Sequence, residues 1–299
     1  MSGMTKTSGS GIHSGIFLAL LAASLYALCP PVSKLLLTSI PPKLMAALLY
    51  LGTGAGMCIM RLFQKVHGSI TEPQLEQKDL RWFAFIIPID IAATMLLTLG
   101  IKYTAAANVS LLNNFEIVAT AVFALCLFKE HISGKLWAAI ILITIASLIL
   151  SFEDMSSFSF SAGSICVLLS CAGWGLENNC TRQLAGKDPL EIVTIKGICS
   201  GTFALILALA SGERFSGTAY IPAALLLGFV SFGLSNFFYI YAQRTLGAAK
   251  TSTYYAVSPF IGTAISLCIF LQKPQMSFLI ASAIMAAGAY LAATDKKLD

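Results

Sequence analysis

Four ionisable side chains, Asp90, Glu116, Glu177 and Lys196, stand inside long apolar runs. A charge kept from water is expensive, so such groups face a partner, a wet cavity or a ligand, and they mark pathways for ions and substrates. Glu177 and Lys196 have the makings of an ion pair, because each offsets much of the penalty of burying the other. The pair either ties two helices together or opens during a working cycle. Asp90 and Glu116 have no obvious cationic partner in the sequence. Burial favours the neutral form of a carboxylate and hydration the charged form, so an acid in this setting can take up a proton in one state and release it in another. Protonation then competes with a cationic or zwitterionic ligand for the same carboxylate. The alternative is a permanently protonated acid bonded to a neighbouring helix.

Neutral groups that can orient a ligand cluster around these four. Asn113 and Asn114 precede Glu116, and Asn178 and Asn179 follow Glu177. Consecutive helical residues point in different directions, so at most one of each pair lines a given surface. Asn236, Tyr239, Tyr254 and Tyr255 add polar and aromatic surface suited to a planar or cationic ligand. Tyr26 and Trp174 occupy matching places in the two halves of the chain. The candidate set for substrate or proton binding is thus Glu116, Asp90, Glu177, Lys196, Asn113, Asn178, Tyr254, Tyr255, Trp174, Tyr26 and Asn236.

The elements that carry them are membrane helices. Of the 299 residues 57% are hydrophobic and 11% charged, with a mean hydropathy of +0.81. Soluble domains carry about 25% charged residues, so most of this surface must meet lipid. Apolar runs of about 20 residues, enough to cross the bilayer as helices, predict ten spans: 16–37, 41–63, 81–101, 105–128, 134–152, 161–184, 189–210, 220–241, 248–271 and 275–294. At a rise of about 1.5 Å per residue, Glu177 and Lys196 each lie roughly 10 Å inside the same membrane face. Asp90 and the near-central Glu116 share that slab. Pro30-Pro31, Pro88 and Pro259 are expected to break the first, third and ninth helices, since each proline removes an amide donor. Gly52-x-x-x-Gly56 and Gly197-x-x-x-Gly201 put small surfaces on the second and seventh, suited to close packing or sliding.

The spans form two copies of one unit. Gly15 to Lys34 recurs as Gly163 to Arg182, with Tyr26 matched to Trp174 and Lys34 to Arg182. Ala106-Ala107-Asn108-Val109-Ser110 recurs as Ala248-Ala249-Lys250-Thr251-Ser252. Repeats of this kind characterise secondary transporters, and five crossings per unit turn the second copy over relative to the first. With the N-terminus in the cytoplasm, the inside receives Arg61, Lys65, Lys78, Arg81, Lys129, Lys135 and Lys187 among others, against Lys34, Lys43, Lys102, Arg214 and Lys273 outside. That bias predicts a multi-pass plasma (inner) membrane protein with both termini cytoplasmic. The net charge of +5 follows topology, and no basic cluster points to nucleic acid.

Other chemistries find no support. The eight cysteines all fall in predicted spans without a Cys-x-x-Cys pair, and the three histidines sit at or beyond helix ends, so they read as packing and surface residues. Neither metal nor cofactor is expected. The sequence has no Gly-x-Ser-x-Gly, no His-Glu-x-x-His and no Gly-x-x-x-x-Gly-Lys loop, which argues against an enzyme and against nucleotide-driven pumping. A secretory or lipoprotein reading of the N-terminus fails on Leu28 before Cys29 and on the recurrence of the segment in mid-chain.

Leu25-Tyr26-Ala27 to Lys34, Trp174-Gly175 to Thr181-Arg182, Tyr103 to Asn108 with Phe128-Lys129-Glu130, and Leu246 to Lys250 with Ser258-Pro259-Phe260 together resemble the EamA-type repeat of the drug/metabolite transporter superfamily. The resemblance covers 15–152 as a first five-helix repeat and 161–294 as a second, inverted one. It implies an all-α membrane protein exporting a small metabolite, amino acid or cationic toxic compound by alternating access. The cavity would lie among helices one, three, four, six, eight and nine. Proton coupling is the leading expectation, with an uncoupled facilitator or metabolite antiporter as the alternative. The Glu-Pro of that family's fourth helix appears here as Glu116-Ile117 and Ser258-Pro259, so each half keeps one member of the pair.

Overall fold

A computed structural model describes residues 9–66, 73–129, 132–154, 159–184, 186–215, 218–246, 251, 254–271 and 273–294. In the start of the ninth predicted span, which matches Ala106 to Ser110, residues 248–250 and 252–253 lie outside the described residues, as do His67 and His131. The described residues are almost wholly helical. Its helices are α1 (Gly9–Ala27), α2 (Cys29–Leu36), α3 (Pro42–Val66), α4 (Leu80–Tyr103), α5 (Ala106–Leu112), α6 (Phe115–Phe128) and α7 (Gly134–Ser151) in the first half. The second half has α8 (Ala162–Thr181), α9 (Pro189–Ala210), α10 (Ile221–Gly228), α11 (Ser235–Leu246), α12 (Ser258–Phe270) and α13 (Met276–Ala293). A short antiparallel ribbon, β1 (Phe152–Asp154) with β2 (Ser159–Phe160), joins the halves where the sequence predicts only helix and loop.

Local chemistry explains most boundaries. Pro30 and Pro31 fall in the first turn of α2, where a missing amide is tolerated, so the first span divides at Leu28. Pro259 likewise opens α12 rather than breaking it. Pro88 does not behave as predicted, because α4 runs through it from Leu80 to Tyr103; a single lost hydrogen bond is absorbed where neighbouring helices support the turn. Asp188 caps α9 by accepting from the Leu190 amide at 2.9 Å, with Pro189 next in line.

Three features escaped the sequence. The fourth span divides at Asn113–Asn114, between α5 and α6. The eighth carries a π-helical segment, Phe229–Leu234, between α10 and α11. Lys129 and Leu271 end α6 and α12 in the left-handed conformation, at φ 55° and 49°. The last two stand at corresponding places in the two halves, so the duplication extends to backbone detail.

Elements of one half pack mainly on elements of the other: α3 on α9, α4 on α8, α7 on α13, α1 on α11, and α5 on α12. The α3–α9 crossing is close because Gly54 and Gly197 meet backbone to backbone, and a methyl on Gly54 would stand 2.6 Å from the Ile198 nitrogen. Large apolar side chains such as Phe17, Leu62, Phe85, Leu226 and Tyr290 point outward, as lipid-facing surface must. Eight helical stretches of the described residues are long and apolar enough to cross a membrane. The two remaining expected spans are α8, which carries Glu177, Asn178 and Asn179, and the divided ninth unit ending in α12.

At one end, ion pairs join the halves. Lys187 lies 2.6 Å from Glu76 and 3.2 Å from Asp79, Arg61 lies 3.2 Å from Glu191, and the Asp188 amide donates to the Pro73 carbonyl at 2.9 Å.

Candidate functional site

α4 brings Asp90 into the interior at 1% exposure, α8 presents Glu177 at 5%, and α9 threads Lys196 between them. The Lys196 ammonium is 2.8 Å from Glu177 Oε1 and 3.3 Å from Asp90 Oδ2. The pair expected between Glu177 and Lys196 is therefore present. The expectation that Asp90 lacks a cation is corrected, since Lys196 reaches both acids. The reason is tertiary: α4 packs on both α8 and α9, a meeting that sequence separation does not announce. Thr181, one turn beyond Glu177, also donates to Glu177 Oε1. Tyr50 donates to the Asp90 carbonyl at 3.4 Å and accepts from Thr94 Oγ1 at 3.1 Å.

Glu116 is held differently. The division at Asn113–Asn114 sets it in the first turn of α6, where an acid suits the positive end of the helix dipole. Its partner is neutral: Asn178 Nδ2 donates to Glu116 Oε1 at 2.6 Å and lies 3.4 Å from Thr120 Oγ1. Asn179 turns instead to the carbonyls of Thr120 and Gly175, at 3.1 and 2.8 Å, so the two asparagines serve different surfaces as their spacing requires. Glu116 lies within electrostatic reach of Glu177, Lys196, Tyr26 and Tyr255.

An aromatic cluster centred on Phe232 completes the interior. Tyr26 stacks on it at 6.2 Å, Tyr50 lies 5.6 Å away, and Trp174 meets it edge-on at 6.2 Å. Tyr26 and Tyr255 are 6.0 Å apart and Tyr239 and Tyr255 4.8 Å apart. The Tyr255 hydroxyl lies 3.3 Å from Ser235 Oγ. Tyr254 is half-buried beside Tyr255. Asn236 is exposed on α11, on a different face from Ser235, whose hydroxyl turns inward to the Ala22 carbonyl at 2.9 Å. Phe232, Tyr50, Thr94 and Thr120 were missed by sequence reasoning. Phe232 owes its place to the π segment, where the turn-to-turn register shifts. Thr181 was within reach, standing one helical turn from Glu177.

Asn113, 7% exposed, borders a small crevice with Tyr26, Ala27, Pro30, Ser110, Ser258, Pro259 and Gly262. The crevice is far too small for a metabolite-sized ligand, for which pockets usually measure about 300–1,000 Å³. It lies beside Tyr26 rather than at Lys196, so it does not correspond to the central cavity that the family resemblance implies.

Apolar helices that cross a membrane in two matched sets, pairing half with half around buried acids, are the architecture of a polytopic transporter. The chain belongs to the EamA-like transporter family, whose model matches residues 13–152 and 161–294. It is therefore a multi-pass membrane transporter and not an enzyme. It is 22% identical over 292 residues to an uncharacterized transporter of Methanothermobacter thermautotrophicus, a match covering 92% of this chain and 85% of that protein. It is 22% identical over 285 residues to the uncharacterized transporter YyaM of Bacillus subtilis, covering 91% of each. A solved structure shares the fold, with a TM-score of 0.65 over 96% of each chain at 17% identity.

Proposed function

We propose that this chain is a proton-coupled secondary exporter of a small metabolite, amino acid or cationic compound, working by alternating access between inverted repeats. The observation that carries the reading is a charge imbalance: three carboxylates, Asp90, Glu116 and Glu177, stand within electrostatic reach of one ammonium, Lys196. Lys196 answers at most one of them in full. The excess negative charge in a water-poor interior calls for a proton or a cationic group of the substrate. Glu116 is the acid best suited to exchange them, because its partner Asn178 is neutral and exposed. The aromatic rings beside it supply apolar and cation-accepting faces. Asp90, Glu177 and Lys196 are assigned to hold the helices and bias the field around Glu116.

Both termini are placed in the cytoplasm on the distribution of Lys and Arg, and the membrane is taken to be the plasma (inner) membrane. Reporter fusions to each terminus test the topology, and termini on opposite sides of the bilayer would contradict it. The coupling test uses proteoliposomes and a panel of labelled amino acids and organic cations, with and without a pH gradient. Accumulation that needs the gradient in wild type and is lost in Glu116→Gln supports the proposal. Equal uptake with and without the gradient makes the protein an uncoupled facilitator instead.

A further inference from the structure

An amide side chain is costly to set against acyl chains, yet Asn178 on α8 and Asn236 on α11 are both exposed within membrane spans. Their helix faces turn inward. Residues one turn apart share a face, so Asn178 lies on the face of Trp174, and it donates to Glu116 at 2.6 Å. Asn236 lies on the face of Phe232, one turn before it, and of Tyr239, whose ring meets Tyr255. Trp174 and Phe232 themselves meet edge-on at 6.2 Å. The two exposed amides thus stand one turn beyond the contact that joins α8 to the π segment.

The turn before that contact is sealed. Ser170 is 0% exposed and Gly228 is buried, and a methyl on Gly228 would collide with the Leu49 carbonyl of α3. Gly52 meets the Leu225 backbone in the same way, so α3 and α10 cross with no room between them. Thr53 fastens the crossing by donating to the Gly228 carbonyl at 2.9 Å. Phe232, 5% exposed, is wedged beside it against Tyr26, Tyr50 and Trp174.

Past Phe232 the helices take different neighbours: α11 packs on α1 and α9, and α8 on α4 and α6. Because α9 starts where α8 ends and α10–α11 returns from its far end, α8 and α11 both run toward the membrane face of Lys187. The gap between Asn178 and Asn236 opens on that side. Glu116, at its inner end, is only partly buried, whereas Asp90 and Glu177 behind it are 1% and 5% exposed.

An interior reachable from one face and shut from the other is one state of an alternating-access cycle. We propose that this conformation opens toward the Lys187 face through a polar vestibule walled by Asn178 and Asn236, and that Phe232 is the gate that closes it from the opposite face. The vestibule rests on the transport reading above. With the termini in the cytoplasm, it is the side from which an exported solute loads, its two amides supplying hydrogen bonds on the way to Glu116.

The test is thiol labelling of the full chain in membrane vesicles of each orientation, using a membrane-impermeant methanethiosulfonate that carries a quaternary ammonium. Gly186→Cys, beside Lys187, and Arg214→Cys, beyond the far end of α9, are exposed positions that mark the two faces. Wild type gives the background from its own eight cysteines. Asn236→Cys should label only from the face that labels Gly186→Cys. Its rate should exceed that of Leu226→Cys, on the lipid-facing surface where a thiol does not ionise, by about tenfold or more. Adding Phe232→Ala should make Asn236→Cys reactive from both faces. Labelling from the Arg214→Cys face, or no faster than Leu226→Cys, overturns the vestibule, and one-sided labelling in a folded Phe232→Ala protein overturns the gate. Asn178→Cys repeats the measurement if Asn236→Cys does not fold. Labelling needs neither substrate nor a pH gradient, so its failure is separate from a failure of proton-coupled uptake.

Discussion

Asp90 and Glu177 share an ammonium, whereas Glu116 is held by an amide. All three acids stand within helices of the same bundle, yet the first two are locked by charge to a third helix and the last by one hydrogen bond between α6 and α8. A buried ion pair is hard to open, because separating it strands both charges. A neutral donor leaves its acid free to change protonation or to exchange Asn178 for a ligand. On the proposed function, the difference separates a scaffold from a working group inside one interior.

The largest effect should come from Lys196→Met. Removing the shared cation leaves Asp90 and Glu177 buried and adjacent, and breaking a buried pair costs about 3–5 kcal/mol. Loss of monodisperse protein or a large fall in Tm is expected in detergent. Adding Asp90→Asn and Glu177→Gln to Lys196→Met should restore much of the stability, since a neutral network replaces an uncompensated charge. A single Lys196→Met that unfolds like wild type would dissolve the distinction drawn above.

Glu116→Gln should behave in the opposite way. The amide keeps the size and shape of the carboxylate, so stability should change by about 1 kcal/mol or less, while accumulation driven by a pH gradient falls to background. If uptake and its pH dependence survive intact, the coupling acid lies elsewhere.

The fold was legible because its signals are collective. Long apolar runs with a repeated Tyr26/Trp174 and Lys34/Arg182 pattern fix the class and the duplication without any knowledge of contacts. The ion pair of Glu177 with Lys196 was legible too, since consecutive antiparallel helices place both at one depth. Asp90 was misjudged because its partner lies on a helix distant in sequence, and α4 meets α9 only through packing. Pro88 was misjudged for a related reason: a lone proline in a supported helix does not announce whether it breaks. The division at Asn113–Asn114 and the π segment at Phe229–Leu234 depend on hydrogen-bond register, which single residues do not encode.

Asn178→Ala sharpens the Glu116 side of the comparison. It removes the 2.6 Å hydrogen bond to Glu116 but leaves Asn179 and its two carbonyl partners in place. A loss of about 1–2 kcal/mol is expected from one such bond, well short of the Lys196 effect. Thermal unfolding of Asn178→Ala alone and with Glu116→Gln gives the coupling energy between the two residues. A coupling near zero would mean that Glu116 does not depend on this amide.

The smallest effect belongs to a charge cluster outside the membrane interior, where solvent weakens what burial strengthens. Glu76 is half exposed and lies 2.6 Å from Lys187 and 2.7 Å from Lys78, whose hydrogen bonds pull its carboxyl from 4.5 down to about 2. A group whose folded pKa is depressed stabilises the protein above its unfolded value and loses that contribution as pH falls through the folded value. The Tm difference between wild type and Glu76→Gln should therefore be small and constant above about pH 5 and shrink between about pH 4.5 and pH 2. It should also diminish in high salt, as exposed pairs do, whereas the Lys196→Met defect should not. A Glu76 difference that resists both acid and salt would place this peripheral cluster with the buried triad and remove the contrast between them.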